Sequence, residues 1–266
     1  MPDKTLSGNP LWAIYEHVAM AIGLGSLALI CVTWLPFAMV LHPLLPRRLG
    51  QVIGRWAIMA SFRLYLSLLT TLCACRFDLS ELDQLRDCGK VIVAANHPTL
   101  LDVVLIVSRM PNAICVMKSS LMDNLLFGSA ARLAGYVGND DALQMLKKSR
   151  EGLNEGAQLV IFPEGSRTRK FPLDPLTPTL GMVARRSGAP VQTVLLEFST
   201  PYLGKAWSLF RKPSLPLHCR ARLGRRFEAR TDYAEFTHEL DAYFRQELRS
   251  MQPGAATINE ARTSRF

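Results

Sequence analysis

The chain has 266 residues, 49% of them hydrophobic and 20% charged, enough to bury a full core in one domain plus an appendage and too apolar for a disordered or fibrous protein. Thirty-one Lys and Arg against 22 Asp and Glu leave a formal charge of +9, which favours phosphate-rich partners: nucleic acid, anionic lipid, a nucleotide cofactor or an acidic carrier protein. The six cysteines, Cys31, Cys73, Cys75, Cys88, Cys115 and Cys219, show no CxxC and no regular spacing, so neither a disulfide framework nor a zinc site is expected and a reducing, cytosol-facing compartment fits.

Val18 to Leu41 is a run of 24 residues without a charge. As a helix it would extend roughly 36 Å at ~1.5 Å per residue, long enough to cross a bilayer. Asp3, Lys4 and Glu16 precede it and HPLLPRR follows, unlike the flanks of a cleaved signal peptide. A second apolar stretch, Val52 to Leu72, carries Arg55 and Arg63 on one side of the helical wheel, with Trp56 and Tyr65 suited to headgroup level, and reads as an interfacial helix. The basic cluster Arg47, Arg48, Arg55 and Arg63 puts the link between the helices on the cytoplasmic side. The pair is either one full span plus an interfacial helix or a re-entrant hairpin. It gives an N-terminal membrane-anchoring unit over residues 1–75.

After Arg76 short β-branched runs alternate with amphipathic stretches, the pattern of an α/β domain, here over 76–252. The strands are expected at 91–95, 113–117, 158–162, 191–198 and 217–223, apolar enough to be buried on both faces. Helices are expected near 79–87, with Ser80 and Asp83 as a capping box, and near 98–109 and 121–133. Further helices are expected at 140–155, capped near Asn139 or Asp140, at 178–187, capped by Thr177 and ending at Gly188, and at 232–250. Residues 253–266 read as a flexible tail.

Two strings carry chemistry. In AANHPTLLD a strand runs into Asn96, His97 and Pro98 and then toward Asp102. An imidazole there can take a proton from a hydroxyl if a carboxylate holds its other nitrogen, and Asp102 can be that carboxylate provided His97 lies before the helix. In QLVIFPEGSRTRK a buried strand exits into Glu164, Gly165, Ser166, Arg167 and Thr168, placing backbone N–H groups, a hydroxyl and guanidinium groups at one sheet edge, an anion site of the kind open α/β folds use for ligands. No residues with metal-ligand spacing accompany them, so no metal is expected.

Together Asn96-His97-Pro98-Thr99-Leu100-Leu101-Asp102 and Phe162 to Arg167 resemble the first and third motifs of the lysophospholipid acyltransferase family, which contains the bacterial 1-acyl-glycerol-3-phosphate acyltransferases. Ala189-Pro190-Val191 matches a fourth, looser element. The resemblance implies a mixed, mostly parallel sheet flanked by helices, of the glycerolipid acyltransferase type, behind the N-terminal helix pair. It implies His97 and Asp102 as catalytic residues and Asn96, Glu164, Gly165, Ser166, Arg167 and Thr168 as substrate-binding ones. The implied reaction moves a fatty acyl group from an acyl-CoA or acyl carrier protein thioester to a lysophospholipid hydroxyl in phospholipid biosynthesis. No other cofactor is implied, and the implied place is the cytoplasmic face of a bacterial inner membrane.

One region departs from the family's pattern. The second motif ends in an Arg, whereas residues 135–141 read Gly-Tyr-Val-Gly-Asn-Asp-Asp, and two carboxylates should repel a phosphate. Lys118, after the strand expected at 113–117, is a candidate for the missing cation. This form is similar to that of short members serving other lipid acceptors, of ornithine-lipid or aryl-polyene type, and a non-catalytic membrane-associated relative is a further alternative. Arg220, Arg222, Arg225, Arg226 and Arg230 form either a carrier-protein or membrane patch or an ordinary basic face. Nucleic acid is not an expected partner, because no RRM, helix-turn-helix or zinc-finger pattern accompanies the charge.

Overall fold

The computed structural model describes residues 9–205, 207–208 and 211–250. The expected tail over 253–266 lies outside them. Two long helices come first, α1 (Pro10–Leu44) and α2 (Arg47–Leu72), followed by β1 (Cys75–Asp78). Then come β2 (Val91–Ala95), α3 (Asp102–Val107), β3 (Ala113–Met117), α4 (Ser119–Met122), α5 (Leu125–Ala134), β4 (Val137–Gly138) and α6 (Ala142–Asn154). The chain continues through β5 (Gln158–Ile161), α7 (Thr179–Ser187), β6 (Val191–Phe198), β7 (Leu217–Phe227) and α8 (Tyr233–Ser250).

The strands form one sheet in the order β1-β7-β6-β2-β5-β3-β4, with every neighbouring pair parallel except β6 and β7. This is the mixed, mostly parallel sheet expected. In β2, Val91, Val93 and Ala95 face one core cluster while Ile92 and Ala94 face the other, so the continuous apolar run reflects burial on both sides. Phe236, Leu240 and Phe244 of α8 and Leu180 and Val183 of α7 fill one side; Leu101, Leu105 and Ile106 fill the other with the inner face of α2. The edge strands β1 and β4 were not expected; each is too short to show an alternation of its own.

Several boundaries differ from the sequence reading for local reasons. The helix expected from residue 98 begins only at Asp102, because Thr99 turns its backbone N–H and hydroxyl onto the Asp102 carboxylate. The helix expected over 121–133 is two, α4 and α5, with Asn124 between them accepting from Leu126 N as an N-cap. Ser80 and Asp83 make no capping box: the segment is a 3₁₀ turn, Ser80 donates to Asp78, and Asp83 pairs with Arg109. α6 is capped by Asp141, which accepts from Leu143 N and Gln144 N. Thr177 does not cap α7; its hydroxyl donates to the Pro163 carbonyl.

Both α1 and α2 are long and apolar enough to cross a membrane. They form an antiparallel hairpin tied to the α/β domain at both ends. At one end Tyr15 Oη donates to Leu72 O, Cys73 Sγ donates to Ala19 O, and the buried Glu16 accepts from Lys212 and from Leu215 N at 3.0 Å. At the other end Gly54 lies so close to α5 that a Cβ there would stand 2.8 Å from Ala134 N. Arg55 is buried and so stands apart from the basic cluster expected at the link, and Tyr65, expected at headgroup level, is buried too. Arg55 Nε donates to Ala134 O at 2.9 Å and its Nη1 to Asn112 Oδ1 at 2.7 Å, so the cation serves the unpaired carbonyl end of α5. The other side of the hairpin stays apolar and uncovered, with Leu11, Leu29, Val32, Phe37, Val40 and Leu44 exposed.

Candidate active site

The site is built where β2 and β5 end side by side. β2 and β5 are paired in register through Ala94 and Ile161, so the residues that follow them emerge at the same sheet edge although 67 positions apart. Asn96 is buried with both side-chain polar atoms committed: Nδ2 donates to Leu196 O at 3.0 Å and Oδ1 accepts from Leu196 N at 2.8 Å. Expected to bind substrate, it instead splices the end of β2 to β6 and fixes where the next residue starts.

That residue is His97. Its Nδ1 donates to Asp102 Oδ2 at 2.7 Å, and its ring stacks on Phe162 with centroids 4.0 Å apart. Because α3 begins at Asp102, His97 precedes the helix, as the pairing required. Asp102 is 0% exposed and also accepts from Thr99 N at 2.9 Å and Thr99 Oγ1 at 2.7 Å. Burial pushes its carboxyl above the ordinary range, while the bonds from His97 and Thr99 pull the other way and hold the charged form in place. Nε2 of His97 has no partner among the described residues and the side chain is 17% exposed, so the ring presents one nitrogen outward with its tautomer set by the other.

Glu164 is also buried and fully used. Oε1 accepts from His97 N and Thr168 Oγ1, both at 2.9 Å, and Oε2 accepts from Asp174 N at 2.9 Å. Burial raises its pKa against these bonds. Thr168 N in turn donates to His97 O at 2.7 Å, so Glu164 and Thr168 lace the two strand-end loops together rather than reaching outward. Gly165 makes the turn, with φ +68 and its N–H on Phe162 O. Ser166, Arg167, Arg169 and Lys118 then sit at the outer edge. Arg167 Nη1 donates to Leu203 O at 2.9 Å and Gly204 O at 3.0 Å.

Sequence reasoning missed Lys205, whose Nζ donates to Ser166 Oγ at 2.8 Å. It lies in the connection from β6 to β7, a stretch with no periodicity or motif to mark it. The acidic pair of 135–141 also has a structural use. Asp141 caps α6 and Asp140 accepts from Ser119, so both carboxylates have local structural partners while keeping their charge. The C-terminal arginine group is mostly neutralised: Arg220 pairs with Asp78 and Glu81, Arg222 with Glu197, and Arg225 and Arg230 with Glu239.

Residues 76–197, which hold every residue of the His97 and Glu164 loops, match the family model for acyltransferases. That stretch carries the acyltransferase domain. Part of it is 30% identical over 105 residues to a 1-acyl-sn-glycerol-3-phosphate acyltransferase of Helicobacter pylori, covering 36% of this chain. The match spans 44% of that relative's length. The fold is similar to the crystal structure of the 1-acyl-sn-glycerophosphate (LPA) acyltransferase PlsC from Thermotoga maritima, with a TM-score of 0.69 over 90% of this chain and 98% of that one. At 16% identity that likeness is one of fold. It extends into the helix hairpin, which the family model does not reach.

Proposed function

We propose that this acyltransferase moves a fatty acyl group from an acyl thioester to the free hydroxyl of a 1-acyl-glycerol-3-phosphate-like lysophospholipid. The observation that carries the reading is the His97–Asp102 pair, with Asp102 fully buried on Nδ1 and Nε2 turned outward at the sheet edge. His97 Nε2 takes the proton of the acceptor hydroxyl as its oxygen attacks the thioester carbonyl. The resulting imidazolium is stabilised by Asp102. The tetrahedral intermediate then collapses, the carbon–sulfur bond breaks, and the proton passes from Nε2 to the leaving thiolate. Stacking on Phe162 and the Glu164 bond to His97 N keep the ring in place through the cycle.

Ser166 is bonded to Lys205 rather than to His97, which supports direct transfer over a covalent acyl-enzyme. The likeness to 1-acyl-sn-glycerol-3-phosphate acyltransferases supports a phosphate-bearing acceptor over the phosphate-free alternatives. The donor is an anionic thioester, acyl-CoA or acyl carrier protein, drawn to a chain of charge +9. The uncovered apolar face of the helix hairpin supports a place in the membrane interface, where acceptor and product both reside, and the basic link fits the cytoplasmic face of the inner membrane. The test is acyl transfer by membranes carrying the protein, with labelled acyl-CoA and acyl carrier protein donors offered against lysolipids and phosphate-free hydroxy-lipids. A lysophosphatidate product that disappears in His97→Ala supports the reading; no His97-dependent product with any pair overturns it.

A further inference from the structure

The connection between β6 and β7 crosses the outer edge of the site and is fixed there by unusual means. Leu203 adopts φ +52, a left-handed conformation that β-carbon sterics disfavour. Its carbonyl accepts from Leu100 N at 3.1 Å and, with Gly204 O, from Arg167 Nη1. The strained turn is therefore held by the loops that carry His97 and Glu164. Its direct result is the placement of the next side chain but one, the half-buried Lys205, with Nζ on Ser166 Oγ.

This ammonium group has a single neutral acceptor and no carboxylate within ion-pair distance among the described residues. Desolvation against the loop comes first, then repulsion from Arg169, Lys118 and Arg167, in lowering its pKa. Only Asp174 works the other way, and its two oxygens already accept from Arg169 N and Lys170 N at 3.1 Å. Lys205, Arg167, Arg169 and Lys118 thus gather at the outer edge of the site with Asp174 as the one carboxylate acting on Lys205, which leaves a net positive charge there. Such an arrangement is costly unless something negative fills it. Residues 135–141 bring no cation to this edge, and Arg167 has one nitrogen occupied by the loop it holds.

We propose that Lys205 binds the phosphate of the acyl acceptor, with Arg167 acting in part as the positioning residue that clamps the 203–204 turn and delivers it. This rests on the acceptor reading above and extends it to a residue outside the motifs. Ser166 Oγ, Lys118 and Arg169 surround the same anion. A charge-assisted contact of this kind is worth roughly tenfold to hundredfold in affinity.

The experiment uses the full chain in mixed micelles, as wild type, Lys205→Gln, Lys205→Arg and, as a charge-matched control, the exposed Lys147→Gln. Two quantities are read. The first is the dissociation constant for 1-acyl-glycerol-3-phosphate and for a monoacylglycerol of the same chain, measured with no donor present. The second is the ratio of kcat/KM for the two acceptors. The proposal expects Lys205→Gln to weaken lysophosphatidate binding at least tenfold, to lower the ratio equally through KM, and Lys205→Arg to restore most of both. Equal losses on both acceptors, or unchanged lysophosphatidate binding, would overturn it. If wild type shows no turnover, the acyltransfer reading fails, and the binding measurement alone still decides the role of Lys205.

Discussion

His97 Nδ1 and Asp102 Oδ2 lie 2.7 Å apart although five residues separate them, because the helix starts at Asp102 and leaves His97 in the preceding loop. On a continuous helix the two would point about 140° apart. Replacing the carboxylate by an amide keeps the shape but offers Nδ1 a different partner and favours the wrong tautomer. Asp102→Asn should therefore lower acyl transfer by roughly 10²- to 10⁴-fold while costing about 1–3 kcal/mol of stability where Thr99 N loses its acceptor, and His97→Ala should lower transfer by a similar factor. Initial rates with a saturating donor, alongside thermal unfolding, check this. An Asp102→Asn enzyme with near-normal rates would remove the carboxylate from the mechanism.

Glu164 joins the two loops from a buried position, and its raised pKa gives stability a definite pH sign. A carboxyl whose folded pKa is raised contributes most below its unfolded value, and that contribution fades as pH climbs through the raised one. Glu164→Gln does not titrate there, and its amide N–H₂ must face at least one of the donors from which Glu164 accepts, costing about 1–3 kcal/mol. The stability advantage of wild type over Glu164→Gln should thus be greatest near pH 4 and shrink toward neutrality. Thermal unfolding of both proteins from pH 4 to 8 reads the trend, and an advantage that grows with pH contradicts it.

The helix hairpin depends on close backbone approach at Gly54. A Cβ there meets Ala134 N at 2.8 Å and Ala134 Cα at 3.0 Å, backbone that cannot swing aside. Gly54→Ala should destabilise the protein by about 1–3 kcal/mol as α2 is pushed off α5. Gly25, with nothing within 4 Å of its Cβ position, is the comparison site, and Gly25→Ala should leave the unfolding midpoint near that of wild type. Equal midpoints for the two variants would mean that the contact is not tight.

Glu16 belongs to the apolar helix α1 yet is buried against the β6–β7 connection, where it accepts from Lys212 and Leu215 N. Glu16→Ala leaves a buried amide and an ammonium without their acceptor, and the connection should loosen. Limited trypsin digestion should then cut at Lys205 or Arg211 at least several-fold faster than in wild type. Unchanged cutting would show that the connection is held by Arg167 and the Leu203 carbonyl alone.

The sequence by itself determined the α/β class, the five main strands, the apolar hairpin and the two loops that hold His97, Asp102 and Glu164. Each is recorded locally, as a continuous apolar run, a helical period or a strand that ends in Pro, Gly and polar residues. Only the tertiary structure decided what the polar residues of those loops do. Asn96 and Glu164 proved to be internal splints, Arg55 a ligand for the carbonyl end of α5, Asp140 and Asp141 loop and helix partners, and Lys205 an added cation beside Ser166. Hydrogen bonds and charge balance are formed between segments 20 to 100 residues apart, such as Asn96 with Leu196 and Ser119 with Asp140, once the sheet order brings their ends together. No local pattern encodes which of two loops a carboxylate or an ammonium group will face, so these roles follow from strand pairing and burial.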